Sequence, residues 1–267
     1  MGNKELEIIY ATHNHLWMTA WSLHWLYAYT ALPFKLVVID DSTDLTPTYI
    51  HRLKAEKGNV TMFRPKQPFT SANQVINVGL KHTEGEIVCF MANSIVVQPN
   101  WVEFALQWMQ SHEDIGVLGF KLLKPSRVIE HAGIHFEDGM PHHMNYGVGD
   151  YSDWHTYIRE MEAKDSVGWA LVLLRRKAIP KGGLKEDEYI GFKGYDDIDN
   201  CLTIKQDWKV TYFGFGVAVH YALTTRGEQM TEADVEDYEI NRQTFIKKWG
   251  IPTEDVQIHH AGSPYMA

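Results

Sequence analysis

A chain of 267 residues is long enough to bury a substantial core, as one large α/β domain or two smaller ones. Its 25 Lys and Arg against 34 Asp and Glu leave a net charge of −9 with no basic tract, which removes the electrostatic support for binding a nucleic-acid backbone. Two cysteines make no disulfide framework, no apolar run reaches the roughly 18 residues of a membrane span, and the N-terminus has no signal-like apolar core, so a soluble cytoplasmic protein is expected.

In chain order, Leu6 to Ala11 reads as a strand that closes on the polar loop Thr12-His13-Asn14-His15, and Leu16 to Tyr29 has the bulky apolar spacing of a helix. The unit then repeats. Phe34 to Ile39 is an apolar strand, Asp40-Asp41-Ser42-Thr43-Asp44 its loop, and Thr46 to Lys57 a helix with Pro47 in its first turn. Val60 to Phe63 and the helix Ser71 to His82 follow, then a β-branched and aromatic run from Glu86 that stops at Asn93-Ser94 before resuming through Val97. Strands alternating with helices predict a parallel, right-handed α/β layer whose ligand sits outside the strand ends.

Beyond a helix at Trp101–Gln110 and a strand at Ile115–Phe120 the pattern changes. Pro125 to Lys164 has no clear period and reads as a long loop-rich insertion. Ala170 to Leu174 is strand-like, and Gly182-Gly183-Leu184 is a turn. Asp197 to Gln206 is a helix with acidic residues at its start, Lys209–Phe213 and Val217–His220 are two further strands, and Glu232 to Trp249 is a helix.

Taken together, Val38-Ile39-Asp40-Asp41-Ser42-Thr43-Asp44, Asn77-Val78-Gly79, Glu84-Gly85-Glu86, Gly182-Gly183-Leu184 and Gly194-Tyr195-Asp196-Asp197-Ile198-Asp199 resemble, in order and spacing, the inverting family-2 glycosyltransferases of GT-A fold. The likeness runs from about Ile8 to His220. It implies an α/β, mostly parallel central sheet flanked by helices, in a single domain with a nucleotide-binding half at about 1–120, an acceptor and catalytic half at about 121–230, and a C-terminal helix and tail at 231–267. The implied activity moves a sugar, with inversion, from a nucleotide-diphosphate donor, most commonly a UDP-sugar, to a hydroxyl on a glycan, lipid-linked or protein acceptor.

Carried over by residue, Asp40 corresponds to the carboxylate that hydrogen-bonds the base, with Thr12, Asn14, Asp41, Ser71 and Asn93 around the nucleotide. Capping of the following helix is the simpler role open to Asp40, Asp41 and Asp44. Asp197 matches the general base, beside Asp196. The sequence departs from the family at Ala92-Asn93-Ser94, where an acidic metal-binding motif is expected. A divalent cation, Mn²⁺ or Mg²⁺, would there be held mainly by the diphosphate, with Ser94 and His220 beside it, unless cations such as Arg64, Lys66 or Arg226 neutralise the leaving group.

Tyr151, Trp154 and Tyr195 are the aromatic candidates for an acceptor sugar, with core packing as the competing role. The paired histidines His13 and His15, His142 and His143, and His259 and His260 lack any zinc-ligand spacing. Two other classes of function remain: a non-catalytic nucleotide-sugar or glycan-binding module that has lost the metal motif, and a histidine-rich metallohydrolase.

Overall fold

The computed structural model describes residues 5–137, 139–149, 161–192, 194–222 and 232–251. Its amino-terminal half runs β1 (Leu6–Thr12), α1 (Leu16–Tyr29), β2 (Phe34–Asp40), α2 (Thr46–Lys57), β3 (Val60–Phe63), α3 (Ala72–Lys81) and β4 (Ile87–Ala92), and the strands pair in parallel in the order β4-β1-β2-β3. β1, β2 and β4 are buried on nearly every residue, as strands covered by helices on both faces must be.

Asn93 and Ser94 interrupt the fourth strand, and β5 (Ile95–Val97) leaves its line to pair with the last strand. After α4 (Glu103–Ser111), the long strand β6 (Ile115–Leu123) enters the same sheet. The region expected to be loop-rich carries four short strands: β7 (Ile129–His131), β8 (Ile134–Glu137), β9 (Met140–His143) and β10 (Met161–Ala163). β11 (Leu171–Arg175) then inserts antiparallel between β4 and β6. α5 (Asp196–Lys205) leads to β12 (Lys209–His220), and α6 (Glu232–Trp249) ends the described chain.

The two strands expected over 209–220 are one. Gly214 and Gly216 fall at a shift in the pairing of β12 with β6, between Phe213 and Val217, and a Cβ at Gly216 would lie 2.4 Å from the Trp101 carbonyl oxygen. The glycines permit the bend without ending the strand. The full path β10-β12-β6-β11-β4-β1-β2-β3 is therefore parallel on one side and mixed on the other.

One apolar cluster packs α1, α2 and α4 on one face of the sheet, and a second packs α3 and α5 on the opposite face. Where α3 crosses β1 the contact is close: a Cβ at Gly79 would sit 2.2 Å from Ile9 Cγ2. A third, small cluster joins Ile134, Tyr189, Tyr195 and Ile198 to Phe245 of α6.

Candidate active site

The carboxyl ends of β1, β2 and β4 lie side by side, and their polar residues knit three loops together. Thr12 Oγ1 is 2.8 Å from Thr19 Oγ1, and Asn93 Nδ2 donates to both hydroxyls and to the Asn14 carbonyl. Asn14, in the left-handed region at φ 55°, accepts on Oδ1 from the backbone of Thr43 and Asp44, and its own N–H donates to Ser42 Oγ. Short polar side chains at strand ends satisfy backbone groups that would otherwise be orphaned.

Asp40 has no exposed surface. Oδ1 accepts from the Ser42 N–H, and Oδ2 lies 3.0 Å from Arg64 Nε, an ion pair poorly aligned for a hydrogen bond. Asp41 is nearer the surface: Oδ1 takes a bond from His13 Nδ1 at 2.8 Å and Oδ2 one from the Phe69 N–H. Because the Asn14 amide donates to His13 Nε2, the His13 proton sits on Nδ1.

Ser71, expected near the nucleotide, has its hydroxyl committed within the fold. It is the N-cap of α3, accepting from the Gln74 N–H, and its hydroxyl donates to the Glu186 carbonyl. The same helix face grips the segment that follows the double glycine. Asn77 bonds both the N–H and the carbonyl of Leu184, and Asn73 bonds the Lys185 carbonyl and, through its Oδ1, Asn200 of α5. Asn77-Val78-Gly79 and Gly182-Gly183-Leu184, separate in the sequence, are thus two sides of one contact.

That contact holds the start of α5 against the sheet. Asp197 Oδ2 accepts from the Trp169 N–H at 3.4 Å, and the neighbouring Ala170 carbonyl accepts from Ala92, the last residue of β4. Asp197 is thereby linked, through Trp169 and Ala170, to the tip of β4. Burial, then the charge of Asp196, pushes its carboxyl up to about 7. Asp199 is buried and committed to structure, taking bonds from Lys248 Nζ and Trp249 Nε1 of α6.

Tyr195 presents no face to an acceptor. Its ring is turned into the third cluster, 4% exposed, against Tyr238 and Phe245. Core packing was the competing role, and the distant α6 supplies the partners. Tyr151, Trp154, Arg226, His259 and His260 lie outside the described residues.

On the other side of the β4 tip, His220 is in register with Ile95, and the Tyr221 N–H donates to the Ser94 carbonyl. His220 Nδ1 lies 2.9 Å from Glu130 Oε2, a partner that the sequence did not single out. Next to Glu130, the buried His131 accepts on Nε2 from the N–H groups of Gly168 and Gly133, so its proton is on Nδ1, which points to His143 Nδ1 at 3.2 Å. Burial, then His143 and His220, hold His131 well below the usual histidine value.

Ala92, Asn93 and Ser94 offer a cation no charged side chain. Asn93 turns its amide inward, and among the described residues no group of three His, Cys, Asp or Glu side chains is placed to hold a metal ion. Neutral oxygens alone are weak ligands for hard divalent ions.

Residues 8–129 match the family model of Glycosyl transferase family 2. The match covers the strands and helices from β1 through β6, including Asp40 and the Asn93-Ser94 break. Solved structures similar to the chain surround it with the GT-A fold: GalNAc-T7 with UDP, GalNAc and Mn²⁺ (TM-score 0.67, 13% identity, 96% of this chain and 53% of that one), and TarS 1-349 of S. aureus with UDP-GlcNAc (0.61, 16%, 96% and 69%). The mannosyltransferase PcManGT of Pyrobaculum calidifontis with GDP-Man and Mn²⁺ is similar at TM-score 0.59 and 16% identity, covering 93% of this chain and 76% of that one. An uncharacterized protein of Sinorhizobium fredii, y4gI, is 23% identical over 239 residues, 86% of this chain. The chain spans about a quarter of the length of that curated relative, 26%.

Proposed function

We propose that this chain is a glycosyltransferase that moves a sugar, with inversion, from a nucleotide-diphosphate donor to a hydroxyl acceptor. The observation that carries the reading is the placement of Asp197, with its raised carboxyl, linked to the end of β4 through Trp169 and Ala170. Inverting displacement at an anomeric carbon requires a base on the side opposite the leaving diphosphate, and a carboxylate that titrates near neutrality suits that work. The nucleoside is assigned to the loops after β1 and β2, where Arg64, held from behind by the buried Asp40, and Asp41 with His13 supply donors and acceptors for a base. UDP-sugars are the favoured donors, since GalNAc-T7 was solved with UDP and TarS with UDP-GlcNAc, with the GDP-Man of PcManGT as the second class.

In this reading the bond from the anomeric carbon to the diphosphate oxygen breaks with its electron pair going to that oxygen. The acceptor oxygen bonds to the carbon, and its proton passes to Asp197. Asn93 and Ser94 provide no carboxylate to hold Mn²⁺ or Mg²⁺, so no step of this reading is routed through a cation. The acceptor is a glycan, lipid-linked or protein hydroxyl. No described helix is long and apolar enough to cross a membrane.

The test is incubation with a panel of UDP- and GDP-sugars, reading free nucleotide. Release by the wild type that is lost in Asp197→Asn supports transfer; tight donor binding without release supports the non-catalytic module instead.

A further inference from the structure

α6 lies beyond the stretch that matches the family model, and one face of it closes on the turn that leads into α5. Asn241 is the centre of that contact. It is 1% exposed, its Oδ1 accepts from the Ile190 N–H at 2.8 Å, and its Nδ2 donates to the carbonyls of Ile190 at 2.9 Å and Gly194 at 3.4 Å. The amide oxygen and both amide hydrogens are thus committed to backbone groups of a single turn. That turn is one that needs holding. Gly191 and Gly194 are left-handed, and so is Tyr195 at φ 69°, a conformation that a bulky residue keeps only where its surroundings impose it. Tyr195 is also the N-cap of α5, two residues before Asp197, and its side chain makes no capping bond. From α6, the Tyr238 hydroxyl lies 3.2 Å from that of Tyr195, and Lys248 and Trp249 bond Asp199. Asp197 therefore sits between two points that α6 grips, Gly194-Tyr195 before it and Asp199 after it.

We propose that Asn241 is a positioning residue for the base: from α6 it fixes the left-handed turn at Gly194-Tyr195, and with it the place from which α5 presents Asp197 to the acceptor hydroxyl. This rests on the reading of Asp197 as the base. Asn241 acts through the turn and touches no substrate. A general base must stay within hydrogen-bond reach of the proton it takes, and a displacement of about 1 Å lowers turnover by up to about a hundredfold. Attachment of α6 alone is served by Phe245 and Ile246, both buried and apolar. It gives no reason to bury an amide, which is costly unless its bonds are made, and to aim all three of its bonds at the one turn before the base.

The test compares Asn241→Ala with Lys247→Ala, an exposed position on the same helix, in the full chain at a temperature where every variant is folded. Two quantities are read: nucleotide release from UDP- and GDP-sugars, and the titration of the Asp197 carboxyl by ¹³C NMR, its signal assigned through Asp197→Asn. Asn241→Ala should lower kcat roughly tenfold or more with the donor KM within about threefold. It should also bring the Asp197 midpoint down by about one unit or more, as water reaches the carboxyl. Lys247→Ala should match the wild type in both. Asn241→Ser, which leaves one hydroxyl to bond the turn, should fall between the two and serves as the second variant if Asn241→Ala does not fold. A folded Asn241 variant with wild-type kcat and midpoint, or one whose activity falls only in step with its unfolded fraction, would overturn the proposal. If the midpoint moves but the wild type turns over no nucleotide sugar, the transferase reading fails while the positioning of Asp197 stands.

Discussion

The Trp169 N–H donates to Asp197 Oδ2 at 3.4 Å, and through the next residue the same strand segment is bonded to the end of β4. The carboxylate at the start of α5 is thereby tied to the strand end where Asn93 and Ser94 sit.

Asp197 should set the acid limb of the rate profile. Its carboxyl is pushed up to about 7 by burial and by Asp196, and the two titrate as a pair. As a base it works deprotonated, so turnover should rise with pH through the neutral range. Asp196→Asn removes the like charge and should move that limb to lower pH; a limb that stays in place argues against Asp197 as the base.

The same shift has a stability consequence of fixed sign. In the unfolded chain this carboxyl ionises near 3.8, whereas in the fold it holds its proton to about 7. Stability from this group is full below 3.8 and is lost as pH rises through 7. Asp197→Asn should therefore raise Tm more at pH 8 than at pH 4, in a pair of calorimetric scans. Equal shifts at both pH values would count against a desolvated carboxyl.

Asn93→Asp should not restore a metal site. The Asn93 amide donates to Thr12 Oγ1, Thr19 Oγ1 and the Asn14 carbonyl. A carboxylate there loses the donors and faces that carbonyl, at a cost of about 1–3 kcal/mol. The expected outcome is a lower urea midpoint with no added Mn²⁺ dependence of turnover. A variant of wild-type stability that gains such dependence would refute the inward orientation.

Gly79→Ala should be destabilising by about 1–3 kcal/mol, because the new Cβ lies 2.2 Å from Ile9 Cγ2 at the α3–β1 contact. Arg175→Met is the harsher change. The buried guanidinium bonds the carbonyls of Ile115, Met109 and His112, and its loss leaves all three without that donor. A cost of about 3–5 kcal/mol is expected for Arg175→Met from denaturant unfolding, with the partly exposed Glu86 partner contributing little of it. An Arg175→Met cost under about 1 kcal/mol would mean that these carbonyls find other donors.

Local pattern carried much of the fold. α1, α2 and α6 have the bounds that apolar spacing gives, because their signals lie within one helix. The parallel order of β1 to β4 followed from strand–helix alternation. What the letters did not carry was non-local. The insertion of β11 between β4 and β6, and the joining of 209–220 into one strand, depend on pairing with chain far away. Tyr195 was misplaced for the same reason, since its packing partners lie some 40 and 50 residues later, at Tyr238 and Phe245. The capping role of Ser71 was not legible because a cap and a ligand contact use the same hydroxyl chemistry. Glu130 escaped notice because a lone carboxylate in a short edge strand acquires meaning only when β12 brings His220 beside it.

The most direct measurement is a crystal structure of the full chain soaked with a nucleotide sugar that it binds. The account predicts the base at the Asp40–Arg64 and Asp41–His13 loops, the diphosphate between Ser94 and His220, and the anomeric carbon facing Asp197 with room for an acceptor oxygen about 3–3.5 Å from it. A donor bound on another face of the sheet, or an anomeric carbon turned away from Asp197, would contradict it.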